Sequence, residues 1–259
     1  MATVFALANQ KGGVGKTTTS VNLAAALAAQ RQQVLLIDLD PQGNATSGSG
    51  VDKYELPQSI YHVLLGELAA QEAIQPKVPG GFDLIPANGD LTAAEVQLLD
   101  MAGKEFRLRD ALAPLLAQYD YILIDCPPSL NMLTVNALAA ATDVIVPIQC
   151  EYYALEGLSA LLGTIEDIQA SVNPELKIGG LLRTMFDPRN SLSNDVSTQL
   201  LTHFGEQVYR TIIPRNVRLA EAPSYGESII SYDRKSRGAL SYLALAGEIL
   251  RQSKAKRSA

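Results

Sequence analysis

"NQKGGVGKTTTS", residues 9–20, decides the reading of this chain. Gly12, Gly13 and Gly15 precede Lys16 and Thr17, and an apolar run, residues 3–8 (TVFALA), ends just upstream. A buried strand, a glycine-rich turn and a helix in that order make a phosphate cradle. Glycine takes backbone conformations closed to other residues and lets an anion approach closely. The amides of residues 13–18 (Gly13, Val14, Gly15, Lys16, Thr17, Thr18) then point at the phosphates, aided by the positive end of the helix that starts near Lys16. Lys16 is expected to reach the β- and γ-phosphates, and Thr17 to present its hydroxyl to Mg²⁺. The stretch departs from the standard G-x-x-x-x-G-K-[ST] pattern. Position 10 is Gln where that pattern has Gly, and a second lysine, Lys11, follows it.

Working outward, β-rich apolar runs recur at residues 34–38, 82–86, 121–125, 144–148, 178–184 and 208–213. Most are continuously hydrophobic, as strands buried on both faces of a parallel sheet are. Helical spacing fills the intervals at residues 17–29, 95–117, 130–141 and 155–170. Strand–helix alternation over the whole length predicts an α/β fold: a single doubly wound, mostly parallel sheet flanked by helices. No linker, repeat or low-complexity segment divides residues 1–259, so one domain is expected. Residues 238–251 (GALSYLALAGEILR) read as a packing helix, and residues 252–259 (QSKAKRSA) as a short, frayed basic tail.

Carboxylates stand where ligands bind in such sheets. Asp125 closes the run 121–125 at the carboxyl edge of a core strand, the position of a Mg²⁺-shell aspartate. Asp38 and Asp40 end VLLIDLD, and strand alternation puts them on one side. One is expected to brace the glycine loop, the other to orient the attacking water.

Composition bounds the alternatives. At 47% hydrophobic and 19% charged, the chain has the make-up of a globular protein with a sizeable core. No apolar run approaches the ~18 residues of a membrane span, and no signal peptide is expected ahead of the loop. A cytoplasmic address follows. Cys126 and Cys150 lack metal-site spacing, and His62 and His203 lie far apart. The net charge of −6 is unevenly spread: residues 1–180 carry 9 Lys/Arg against 20 Asp/Glu, residues 181–259 carry 12 against 7. Such asymmetry hints at a polyanion-binding face.

KGGVGKTT, DLDPQGNAT and ILIDCPPSL together resemble the deviant-Walker ATPases of the ParA/MinD superfamily, and PRNVRLAEAPSYGE (residues 214–227) resembles its chromosomal ParA (Soj-type) branch. The resemblance implies a slow, Mg²⁺-dependent ATPase cycling between ATP and ADP. Lys11 would be the signature lysine that contacts phosphates held by the other subunit of an ATP-bound homodimer. Asp40 would position the water, with Thr17, Asp40 and Asp125 near the metal and Asp38 and Asp125 in metal and loop-bracing positions. Lys11 and Lys16 would serve the reacting phosphates. Gly13 must stay small where the partner approaches. Adenine contacts fall at Met185, Pro214, Arg215 and Asn216, although Arg215 is also a candidate for DNA.

Arg189 and Arg218, with Arg234, Lys235 and Arg237, are implied to bind double-stranded DNA without sequence preference, giving nucleoid association. A ParB-type centromere-binding protein would stimulate hydrolysis. No helix-turn-helix module is expected ahead of the loop, which argues against operator-specific repression. Two other readings share the core: a MinD-like membrane-cycling switch, which needs bulky apolar residues in its C-terminal helix, and a redox protein resembling the nitrogenase iron protein, which needs cluster-binding cysteines. QSKAKRSA supplies no such apolar residues, so no stable membrane association is expected.

Overall fold

The computed structural model describes residues 1–258. In chain order its strands and α-helices are β1 (Thr3–Leu7), α1 (Lys16–Ala28), β2 (Val34–Asp38), α2 (Asn44–Gly48), α3 (Ile60–Leu65), β3 (Asp83–Ile85), α4 (Leu91–Leu99), α5 (Arg107–Leu112), β4 (Tyr121–Asp125), α6 (Met132–Ala140), β5 (Asp143–Gln149), α7 (Ala154–Ser171), β6 (Lys177–Thr184), α8 (Ser191–Phe204), α9 (Val217–Glu221), α10 (Ile229–Tyr232) and α11 (Arg237–Ser258). All strand pairs are parallel, in the order β3-β2-β4-β1-β5-β6. The doubly wound sheet expected from the sequence is therefore present.

Strand alternation splits the core in two. Val4, Ala6, Leu35, Ile37, Ile122, Ile124, Val144 and Val146 pack on one face, with side chains of α3 to α8. Phe5, Leu7, Val34, Leu36, Leu123, Ile145 and Leu182 pack on the other, under α1 and α11. Both strand faces are covered, which is why these runs are apolar without alternation. Beyond β1 the chain crosses to the β2 side, and beyond β4 it crosses to the β5 side. The crevice at the carboxyl ends of β1 and β4 is thus the place where such a sheet binds ligands.

Three expectations need correction. Residues 208–213 form no strand; they meet β6 through an isolated bridge at Val208. Glu248 of α11 takes the amides of Arg210 and Thr211, donors that a ladder would need. The helix read over 95–117 breaks after α4, where Gly103 adopts φ +65°, and resumes as the short α5. The basic tail is not frayed: α11 runs through Ser258, and the Tyr121 hydroxyl donates to Ser253 at 3.1 Å. Ala259, the last residue assigned to that tail, lies outside the described residues. Ala239, Tyr242, Leu245, Ala246 and Ile249 of α11 are buried against the sheet side of the molecule, so its apolar stripe is spent on the core. Among the described residues no helix is long and apolar enough to cross a membrane.

Candidate nucleotide site

The loop between β1 and α1 is pinned at both ends of its turn. Asn9 donates from Nδ2 to the Pro147 carbonyl at 2.8 Å and accepts from the Lys11 amide at 2.9 Å. Thr184, closing β6, donates its hydroxyl to the Val14 carbonyl at 2.7 Å. Between these anchors Gly13 and Gly15 take φ of +72° and +88°, a region that costs side-chain-bearing residues about 1–2 kcal/mol. Nothing lies within 4 Å of where a Cβ on Gly12 or Gly13 would stand, so the loop has an open outer side. Gly15 is the N-cap of α1, and no side chain caps the helix. Its first amides are disposed to receive an anion.

A cavity of about 660 Å³ opens beside this loop. Gly12, Gly13, Gly15, Lys16, Thr17, Thr18 and Asp40 line one part, and Met185, Pro214, Arg215 and Asn216 another. Residues read from motifs far apart in the chain therefore share one cavity. Val14 does not line it; its side chain is buried and only its carbonyl takes part, in the Thr184 bond. Sequence reading missed Gln42, Asn44, Pro128, Leu219 and Tyr242 in the lining. Tyr242 had a readable signal only as a core residue of α11. Its hydroxyl lies 3.1 Å from that of Thr19 and so ties α11 to α1.

At the phosphate end, Thr17 Oγ1 and Ser20 Oγ each donate to Asp125, both at 2.7 Å. Asp38 does not brace the glycine loop. Its Oδ2 accepts from the Thr46 amide (2.8 Å) and hydroxyl (2.7 Å), and its Oδ1 from the Asp40 amide, so it fixes the segment that carries Asp40 into α2. Thr46 passes this on by accepting from the Ala87 amide. Asp38 and Asp125 stand in register on adjacent strands, fully buried. Burial first, and charge repulsion with neighbouring carboxylates second, push both carboxyls above their ordinary range. Lys16 is buried, which lowers its pKa against the pull of Asp125 and Asp40. Its Nζ rests on the Lys11 carbonyl at 3.2 Å. The site thus carries a surplus of buried negative charge, and hydroxyl and carboxylate oxygens from Thr17, Asp40 and Asp125 suit Mg²⁺. Among the described residues no three His, Cys, Asp or Glu side chains are grouped to hold a metal ion, so phosphate oxygens and water would have to complete such an ion's shell.

Glu95, also unread from sequence, accepts from Asn131 Nδ2. Burial and the nearby Asp40 raise its carboxyl. Asn131 caps α6, next to Pro128 of the cavity wall. Lys11 contributes no side chain to the cavity. Its Nζ bonds Glu151 Oε2 at 2.8 Å, with both side chains roughly half exposed.

Comparison with known proteins fits this geometry. Residues 2–178 match the AAA domain family model. A chromosome partitioning protein ParA of Myxococcus xanthus is 52% identical over 98% of this chain and 89% of its own length. The sporulation initiation inhibitor protein Soj of Bacillus subtilis is 51% identical, covering 96% and 98%. The chain belongs to the ParA/Soj family of P-loop ATPases. A Mycobacterium smegmatis structure, described as cobyrinic acid a,c-diamide synthase with bound ADP and magnesium, superposes with a TM-score of 0.87 at 44% identity, covering 98% of this chain and 96% of that one.

The arginines singled out in this ParA-family chain are exposed, and Arg189 and Arg218 are locally paired. Arg189 forks onto both oxygens of Asp187, at 3.0 and 2.8 Å, and holds that carboxyl down to about 2. Arg218 pairs with Glu221 at 2.9 Å and lies 3.9 Å from Asp233, just before Arg234 and Lys235. Arg218 and the 234–237 cluster therefore share one edge of the molecule, while Arg189 lies on the loop after β6. Arg215 lines the nucleotide cavity.

Proposed function

We propose that the chain is an ATP-switched partitioning ATPase whose triphosphate-bound form pairs face to face with a second copy and binds double-stranded DNA without sequence preference. The observation that carries this reading is the mismatch between the two lysines. Lys16 is buried inside the cavity, whereas Lys11 stands outside it beside the open glycine face. A cation so placed serves a phosphate that arrives from outside, on a second protomer. In a water-excluded interface its charge counts for more than in bulk water.

ATP, ADP and Mg²⁺ are the cofactors that the cradle fits. Thr17, Asp40 and Asp125 would hold the ion, which when bound neutralises phosphate charge. The chain's own groups do the rest. The amides of the glycine loop and α1 orient the phosphates, Lys16 offsets their charge, and Asp40, held by Asp38 through its amide, positions the attacking water. Loss of the γ-phosphate then frees the pair and its DNA. The family context supports a ParB-type centromere-binding protein as the stimulating partner and a cytoplasmic, nucleoid-associated address.

Chemistry that needs a nucleophilic thiolate finds no support in this chain. Cys126 and Cys150 are buried, and burial pushes both thiols up, that of Cys150 to about 11.

The test is light scattering of Asp40→Ala and Lys11→Ala with Mg²⁺ and either nucleotide. Asp40→Ala is expected to pair in ATP and separate in ADP, and Lys11→Ala to remain single in both. Pairing of Lys11→Ala as readily as the parent would defeat the reading.

A further inference from the structure

Lys11 is not idle while it waits for a partner. Its Nζ is held at 2.8 Å by Glu151, 140 residues away in the chain. Glu151 is itself fixed in place. Its other carboxylate oxygen accepts from Gln149 Nε2, its amide bonds the Gln149 carbonyl, and its carbonyl takes the Ala154 amide at the start of α7. The turn after β5 thus presents a set acceptor to a long, flexible lysine. The pair sits beside the open face of Gly12 and Gly13 but contributes nothing to the cavity lining.

We propose that Glu151 is an intramolecular competitor for Lys11 that sets the threshold for pairing. The proposal rests on the reading that Lys11 acts across the pair. Before Lys11 can reach the phosphates on a second protomer, it must leave a carboxylate on its own. An ion pair this exposed holds its members by a factor of at most about five. Two lysines are released in a symmetric pair, so the combined penalty is at most about 25-fold. That is small enough for a triphosphate to overcome. It is large enough to keep the weaker attraction of a diphosphate below what pairing needs. Glu151 penalises both nucleotide states equally, so it shifts the concentration at which each one pairs and leaves their ratio alone.

The experiment measures self-association by sedimentation velocity with Mg²⁺ and either a non-hydrolysable ATP analogue or ADP. It compares the full chain with Glu151→Gln, Lys11→Ala and the double variant. Glu151→Gln keeps the size and polarity of an exposed side chain, and a fluorescent-nucleotide titration is expected to show unchanged affinity in the single protomer. Pairing of Glu151→Gln is expected to tighten by roughly 2- to 25-fold with the analogue and to become detectable with ADP. The double variant is expected to match Lys11→Ala. Unchanged or weaker pairing of Glu151→Gln overturns the proposal, as does an effect of that substitution that persists without Lys11. If Lys11→Ala alone pairs like the parent, the reading of Lys11 itself fails, whatever Glu151→Gln does.

Discussion

Thr17 donates its hydroxyl to Asp125 at 2.7 Å, and Ser20, one helical turn on, donates to the other oxygen of the same carboxylate at the same distance. Asp125 is therefore aimed by α1 as well as by its own strand. Ser20 is fully buried and lines no part of the cavity, so its part is to orient the carboxylate. Partners of this kind are worth about 10–100-fold in metal affinity. Ser20→Ala is expected to raise the Mg²⁺ concentration for half-maximal ATP turnover by that factor while leaving metal-free nucleotide affinity unchanged. A Mg²⁺ titration identical to the parent's would remove Asp125 from the metal site as described.

Gly13 combines a left-handed φ of +72° with open space around the missing Cβ. A valine there meets backbone strain of about 1–2 kcal/mol, but its Cβ meets no atom of its own protomer within 4 Å. Gly13→Val should therefore still fold and bind ATP, with affinity within a few-fold of the parent in a fluorescence titration. Pairing should fail, because the branched side chain fills the approach that a second copy needs. Light scattering of the ATP-saturated variant decides; a stable pair would show that the open face is not the contact.

The parts of this architecture that were legible in the sequence are those set by local pattern. Apolar runs such as 34–38 and 121–125 announce strands covered on both faces, and residues 12–17, between an apolar run and a helical pattern, announce their cradle. What was not legible depends on distant partners. Residues 208–213 look like a strand until Glu248, from the last helix, claims two of their amides. Asp38 reads as a loop brace until Thr46 takes its carboxylate. Glu95 and Glu151 carry no motif at all, and become informative only when Asn131 and Lys11 appear beside them.

The buried Asp38–Asp125 pair makes a testable link between pH and stability. Burial raises both carboxyls in the folded chain above their unfolded value near 4, helped by repulsion from Asp125 at Asp38 and from Asp40 at Asp125. The protonated form is thus favoured by folding. Its contribution is fully present below about pH 4 and is lost as pH rises towards the folded value of about 7 for Asp38. Asp38→Asn removes that titration and adds a pH-independent offset, since its amide nitrogen cannot accept the Asp40 or Thr46 donors as the carboxylate does. Without nucleotide, the stability of the variant relative to the parent is expected to improve between pH 4 and 7, by up to about 1.4 kcal/mol per pH unit. Denaturant melts across that range measure it, and a flat difference would mean that the pair does not share charge as described.

Arg189, on the loop after β6, and Arg218, in the short α9, are exposed, each with its own carboxylate partner. Contacts of such groups with phosphate release counterions, so each contributes about 0.9 to the slope of log affinity against log salt. Two arginines on each of two protomers give four contacts. The Arg189→Ala, Arg218→Ala double variant is expected to flatten that slope by up to roughly 3.6 and to weaken ATP-dependent DNA binding most at low salt, while pairing in ATP is retained. Substituting only one arginine should produce about half the change in slope, because the contacts are separate and carry no base recognition. Fluorescence anisotropy on two duplexes of unrelated sequence, across a salt series, checks each part. Parent-like affinity in the double variant would move the DNA face elsewhere, and a strong preference for one duplex would contradict binding through phosphates alone.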